Sequence, residues 1–260
     1  MKLPRRKPWN QTAAPSDPKV AARIRAQAAM EPHSTAGSYL GNLVYGGLDG
    51  ILTSFAVVSG VVGADLSTRI ISIVGLANLF ADGFAMAVGA YLSAQSQHEY
   101  YQQELLRERW EVEHIPDVEQ AELYEIYRQR GYSEEDAGTL VRIHARDSER
   151  WVRAMMTDEL GLLPAERTPL PASIVTFAAF VVAGLAPLLI YLIGLTVDIR
   201  SGVAFITAIV LGAAALFGLG AAKVLVTKRN AIRSGLEMLI VGGLAAGVAY
   251  TVGILLRGLA

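Results

Sequence analysis

The stretch GLANLFADGFAMAVGAYLSAQSQHEYY, residues 75–101, decides how this chain is built. It opens as apolar sequence and, with neither Gly nor Pro after Gly89, runs into polar, helix-favouring residues. One helix is therefore expected to cross a bilayer and continue into water. Asn78, Asp82 and Met86 recur at every fourth position, so on a helix they form one stripe of amide, carboxylate and thioether on an otherwise lipid-compatible surface. Such a stripe asks for a cation or a partner helix.

Working outward, apolar runs near 42–63, 70–95, 172–195, 203–223 and 236–256 each approach or exceed the roughly 20 residues that span a hydrocarbon core. The expected fold is an all-α membrane protein of five transmembrane helices, with a helical insert between the second and third. Residues 1–37 form a basic tail, 38–96 the first two spans, 97–171 the insert and 172–260 the last three spans. The composition fits this segregation, with 52% hydrophobic and 18% charged residues.

The formal net charge of -1 hides an acidic block. Of 24 Asp and Glu residues, 17 lie between Glu99 and Glu166, against eight Arg and no Lys. That block excludes a nucleic-acid-binding surface. The chain has no cysteine, so a metal would be held by oxygen, imidazole or thioether.

The tail carries Lys2, Arg5, Arg6, Lys7, Lys19, Arg23 and Arg25 among prolines without an apolar core, which reads as a cytoplasmic tail rather than a cleaved signal peptide. Five crossings then leave the insert, Lys223, Lys228, Arg229 and Arg233 inside. The turns holding Asp65 to Arg69 and Asp198 to Arg200 fall outside with the C-terminus, where Arg257 dissents. The reading is a multi-pass integral membrane protein, in the cell membrane if the source is prokaryotic.

In span one, Gly46 and Gly50 offer a small-residue face for close helix approach, and Asp49 sits just inside the cytoplasmic end. A carboxylate at helix centre costs about 2.5–3.5 kcal/mol on insertion scales, so Asp49 and Asp82 should face protein, water or an ion. Asp49 alone suits a capped structural residue equally well. Pro187 is expected to kink span three, and Glu237 to pair with Arg233 at i,i+4.

In the insert, Pro116 stops the extension of span two, Asp117 with Gln120 suggests a capping box, and Gly131 ends the next helix. Ser133 with Asp136 starts a third helix, a fourth runs near 148–160, and RTPLP reads as a stiff linker into span three. Trp110, Leu123, Ile126, Tyr127, Leu140, Ile143 and Trp151 supply a thin core.

Glu104, Glu108 and Glu111 share one helical face; Glu119, Glu122 and Glu125 follow at three-residue steps. Stacked like charges destabilise a helix by a few tenths of a kcal/mol per pair, roughly, and no lysine relieves them. Met155, Met156 and Glu159 add thioethers and a carboxylate, a mix suited to a transition metal rather than to calcium or magnesium. A solvated acidic face with two core methionines fits the pattern equally. Glu111 and His114 make one Glu-x-x-His, whereas a carboxylate-bridged di-iron bundle uses two. His98, His114 and His144 read as surface residues.

With these residues in view, the chain resembles the vacuolar iron transporter family, in the manner of its prokaryotic-type Fe²⁺/Mn²⁺ members. The likeness covers almost everything after His33 and rests on HSTAG at 33–37, LDG around Asp49, AMAVGAYLSAQS at 85–96, the glutamate-rich insert and WVRAMMTDELGL at 151–162. It implies a transporter rather than an enzyme, without organic cofactor, moving Fe²⁺ and often Mn²⁺ out of the cytosol. It also implies a homodimer with the ion path between protomers, protons as counter-ion, and a cytosolic domain that captures metal.

Carried over by position, the capture residues are Glu108, Glu111, Glu119, Glu122, Met155, Met156 and Glu159. Asp49 and Met86 fall in the pore, and the stripe adds Asn78 and Asp82. Plant members carry glutamate at the position of Asn78 and a small residue at that of Asp82, so here the carboxylate is displaced by one helical turn. Two other classes compete: a membrane-anchored di-iron oxidase or ferritin-like module, and an acidic membrane scaffold for a basic partner protein.

Overall fold

The computed structural model describes residues 35–164, 168–222, 224 and 230–257. The basic tail up to Ser34, and Lys223, Lys228 and Arg229 of the expected inner loop, lie outside the described residues. A 3₁₀ turn, Thr35–Tyr39, leads into α1 (Leu40–Gly63), followed by α2 (Thr68–His114), α3 (Pro116–Gln129), α4 (Glu134–His144) and α5 (Ser148–Ala154). α5 runs on as a π-helical turn, Met155–Glu159, and the chain then forms α6 (Pro169–Ile193), α7 (Ser201–Ala222) and α8 (Ala231–Leu256). α1, α2, α6, α7 and α8 are long and apolar enough to cross a membrane.

α1 is the hub of the bundle, packing on α6, α8, α2 and α7. The small-residue face read from its sequence makes the closest of these contacts. A Cβ added to Gly46 would lie 2.6 Å from the Thr176 carbonyl oxygen, and one on Gly50 would overlap the backbone of Phe180. Across the same seam, a Cβ on Gly184 would stand 2.7 Å from the Gly50 carbonyl oxygen. Backbone therefore meets backbone, which is how helices gain dispersion contact in a solvent as apolar as themselves. Phe180, fully buried, plugs the junction of α1, α2 and α6, and Ser72 Oγ donates to the Tyr191 carbonyl at 3.2 Å to tie α2 to α6. α6 continues as an α-helix through the buried Pro187.

α2 is 47 residues long, about 70 Å at helical rise, so it leaves the bundle and forms one wall of the insert. Pro116 ends it, as its sequence implies, and serves as the first residue of α3. The expected capping box is not formed. Ile115 occupies the N-cap, and Asp117 lies within the first turn, because proline at N1 starts the helix two residues earlier than a cap at Asp117 would. At the other end Gly131, at φ +91°, lets the Tyr132 N–H reach the Tyr127 carbonyl at 3.2 Å. Ser133 Oγ accepts from the Asp136 N–H at 3.1 Å and caps α4 as expected.

The core of the insert is Val112, Leu123, Tyr127, Ala137, Val141, Trp151, Val152, Ala154, Met155 and Met156. Two residues expected in it are exposed: Ile143, and Trp110, which stacks on His114 instead. Of the RTPLP segment read as a stiff linker, Arg167 lies outside the described residues, Pro169 already starts α6, and Thr168 Oγ1 bonds Tyr39 Oη at 2.9 Å. Arg233 Nε donates to Glu237 at 3.2 Å as expected, and Arg257 is neutralised by an ion pair with Asp65 at the far end of the bundle.

Gly50→Ala should lower stability by about 1–3 kcal/mol, since its methyl must displace helix backbone rather than a side chain. Gly218→Ala, where a Cβ meets nothing within 4 Å, should be neutral or better. Thermal unfolding in detergent compares them, and equal midpoints would contradict the packing described.

Candidate metal centre

The last two turns of α2, the first turn of α3 and the π turn after α5 meet in the insert. They bring a carboxylate oxygen each from Glu108, Glu119 and Glu159 within 4.8 Å of one another. Oxygens sharing one ion about 2.1 Å away lie about 3–4.2 Å apart, so small rotamer changes would close this set on a cation. Glu108 and Glu119 are 0% and 2% exposed, and the Oε2 of each lacks a hydrogen-bond partner among the described residues. An unpaired buried carboxylate is costly, and exposure of the third member does not remove that cost.

The electrostatics agree with the geometry. Burial, then Glu108, Glu122, Glu111 and Glu159, raises the Glu119 carboxyl to about 7. Glu159 is exposed as a residue, but its carboxyl turns into the cluster, where desolvation followed by Glu108 and Glu122 brings it to about 7. Burial also lifts Glu108, against the opposing hydrogen bond from Arg107. All five glutamates named from the sequence thus act on one another, with three at the centre and Glu111 and Glu122 as flanking charge.

Met155 and Met156 are buried in the hydrophobic core at the start of the π turn that ends in Glu159. A π turn inserts one residue into the helix and re-aims the side chains after it. This one is held by Asp158, which accepts from Tyr127 Oη at 3.1 Å and pairs with Arg130, while Arg130 Nη2 also reaches the Asp158 carbonyl at 2.9 Å. Burial, then Asp158, pushes the Tyr127 phenol up to about 12, so it remains a donor. Of the histidines, His98 and His114 are exposed; His114 Nδ1 lies 2.8 Å from the Trp110 carbonyl. His144 is half-buried beside Tyr127, not on the surface as its sequence context suggests.

In the bundle, α1, α2 and α6 line an open-sided cavity of about 600 Å³ bordered by Asn42, Tyr45, Asp49, Asp82, Met86 and Thr176, among others. Three of the four stripe and span-one residues therefore share one space. The fourth, Asn78, donates to Asp82 Oδ2 at 2.7 Å and orients that carboxylate. Asn42 Nδ2 donates to Thr176 Oγ1 at 3.0 Å, leaving its buried Oδ1 without a partner among the described residues. Asn42 and Tyr45 are missing from the sequence-level set, although Asn42, Tyr45 and Asp49 at i, i+3, i+7 share a helix face. Thr176 had no signal of its own, since its place depends on the α1–α6 seam.

A multi-span helical membrane protein with two aspartates on one cavity and a tri-carboxylate cluster on a helical extension has the side chains for handling cations. Comparison with known proteins agrees: residues 40–254 match the VIT family model. The chain is 40% identical over 230 residues to a vacuolar iron transporter of Toxoplasma gondii, covering 86% of this chain and 76% of that protein. It is 34% identical to vacuolar iron transporter 2 of Oryza sativa subsp. japonica, over 85% of this chain and 88% of that one. A vacuolar iron transporter of Plasmodium falciparum is 33% identical over 87% of this chain and 85% of its own length. The chain belongs to the VIT family, whose members are transporters and not enzymes.

Glu119 and Glu159 are raised in the folded state, so their protonated forms favour folding. That stability is complete below about 4.5 and is lost as pH rises through about 7. Metal-free protein should therefore melt at lower temperature at pH 8 than at pH 5.5, and Glu119→Gln should flatten the dependence. Excess Mn²⁺ should restore the midpoint at pH 8. Identical melting with EDTA and with Mn²⁺ would remove the cluster as a metal centre.

Proposed function

We propose that this protein exports Fe²⁺, and also Mn²⁺, from the cytoplasm in exchange for protons, as a homodimer. The observation that carries this reading is the convergence of Glu108, Glu119 and Glu159, two of them buried with unpartnered oxygens. The names of the relatives supply iron as the cargo. In this reading the insert faces the cytoplasm and gathers the ion. Glu111 and Glu122 raise its local concentration, and the Met155 and Met156 thioethers bias the site towards softer divalent metals.

The ion then enters the cavity of α1, α2 and α6, where Met86, Asp82 and Asn78 receive it and Asp49 shares the ion or a proton with Asp82. A second copy completes the path. Phe80 and Phe84, exposed on α2 on either side of Asp82, suit either that contact or lipid. The displaced carboxylate takes over the duty of the glutamate that plant members carry at the position of Asn78. The di-iron alternative gains nothing from the geometry, since His114 stacks on Trp110 and stands exposed.

Uptake of Fe²⁺ into proteoliposomes under an imposed pH gradient tests this directly, with flux expected only when the gradient is present. Asp82→Asn should abolish uptake while the protein stays folded, because it removes the charge but keeps an oxygen for the Asn78 amide. Near-normal flux through Asp82→Asn would make Asp82 structural. Met155→Leu with Met156→Leu preserves core volume, so folding should survive while preference for Mn²⁺ over Mg²⁺ falls. Unchanged relative affinities in a titration would reduce the pair to packing.

A further inference from the structure

Arg107 stands among the carboxylates of α2. Its Nη1 lies 3.1 Å from Glu104 Oε2, its Nη2 donates to Glu108 Oε1 at 3.2 Å, and its Nε is 3.6 Å from Glu111 Oε2. Among the described residues it is the cation that ion-pairs with this group. Glu108 is thus divided: its Oε1 is held by the guanidinium, its Oε2 is buried without a partner among the described residues, and its carboxylate belongs to the cluster with Glu119 and Glu159. The Arg107 side chain is 48% exposed, so its flexible stem can carry the head into water.

A guanidinium in that place does two things. It offsets part of the repulsion among the glutamates when no ion is bound. It also opposes a divalent cation, because both charges compete for Glu108 and repel each other. We propose that Arg107 is a tethered counter-cation of the capture site: it gives way when a divalent ion binds and returns as the ion leaves, keeping capture weak enough for release. This rests on the capture role proposed above, and the residue acts through the glutamates without touching the ion.

The test is calorimetric titration of the full-length protein in detergent with Mn²⁺ at fixed pH and ionic strength. Arg107→Gln should bind on the order of tenfold more tightly, the effect of one unit charge on a divalent ion about 6 Å away in a water-like medium. Arg107→Lys keeps the charge and should stay within about threefold of the parent. Arg107→Met retains the apolar stem and carries the same prediction as glutamine where glutamine fails to fold. In proteoliposomes the neutral variant should show both a lower half-saturating Mn²⁺ concentration and a lower maximal rate. Equal or weaker binding by the neutral variants, with binding intact in the parent, overturns the counter-cation role alone. No binding by the parent overturns the capture site and this inference with it.

Discussion

An unbroken ladder of backbone hydrogen bonds from Thr68 to His114 ties the two chemical regions of this protein together. Asp82 and Glu108 sit on the same helix 26 residues apart, about 39 Å at helical rise. A flexible joint between them would leave the insert to find its own place. The continuous helix instead fixes the register of Glu108 against the span that carries Asp82, Met86 and Asn78. Pro116 then turns the chain back, and α3 returns Glu119 beside Glu108. The seam of Gly46, Gly50 and Gly184 does the corresponding work in the bundle, bringing α1 against α6 so that Asp49 and Thr176 line one cavity with α2.

The insert is held together less by apolar area than by compensation. Its core is ten buried side chains, among them two methionines and an alanine pair, and beside them stand two buried carboxylates. Unpaired, these charges oppose folding; protonated, paired with Arg107, or coordinated to a divalent ion, they do not. In the proposed capture role, binding and folding stability are linked in the insert, and proton and metal compete for the same oxygens. The cavity in the bundle has a different economy. There Asn78 orients Asp82 by a hydrogen bond, and no cation among the described residues pairs with either aspartate.

Much of this was legible in the sequence, for physical reasons that differ by element. The five spans stand out because a bilayer demands length and apolarity, which composition records directly. Gly46 and Gly50 could be read as a contact face because spacing on one helix is local information. Periodicity put Glu104, Glu108 and Glu111 on one helical face and Glu119, Glu122 and Glu125 at three-residue steps; the choice of five capture glutamates, Glu159 among them, came from the resemblance to the family. Residues fixed by tertiary contact were not legible. Trp110 looked like core but stacks on His114 at the surface, and Asp117 looked like a cap until proline at N1 moved the start of α3. The π turn that carries Glu159 is tied through Asp158 to Tyr127 and Arg130, 31 and 28 residues earlier in the chain. Arg107 was within reach of sequence reading, at three residues after Glu104, one before Glu108 and four before Glu111.

In the proposed function a divalent transition metal is captured between the end of α2, the start of α3 and the π turn after α5. Anomalous diffraction from crystals of the full-length protein grown with Mn²⁺, recorded near the manganese edge, tests it most directly. A peak bounded by the carboxylates of Glu108, Glu119 and Glu159 is expected, with the Arg107 guanidinium withdrawn from Glu108. A peak elsewhere in the insert, or none while Glu108 and Glu119 stay buried as they are, would contradict it.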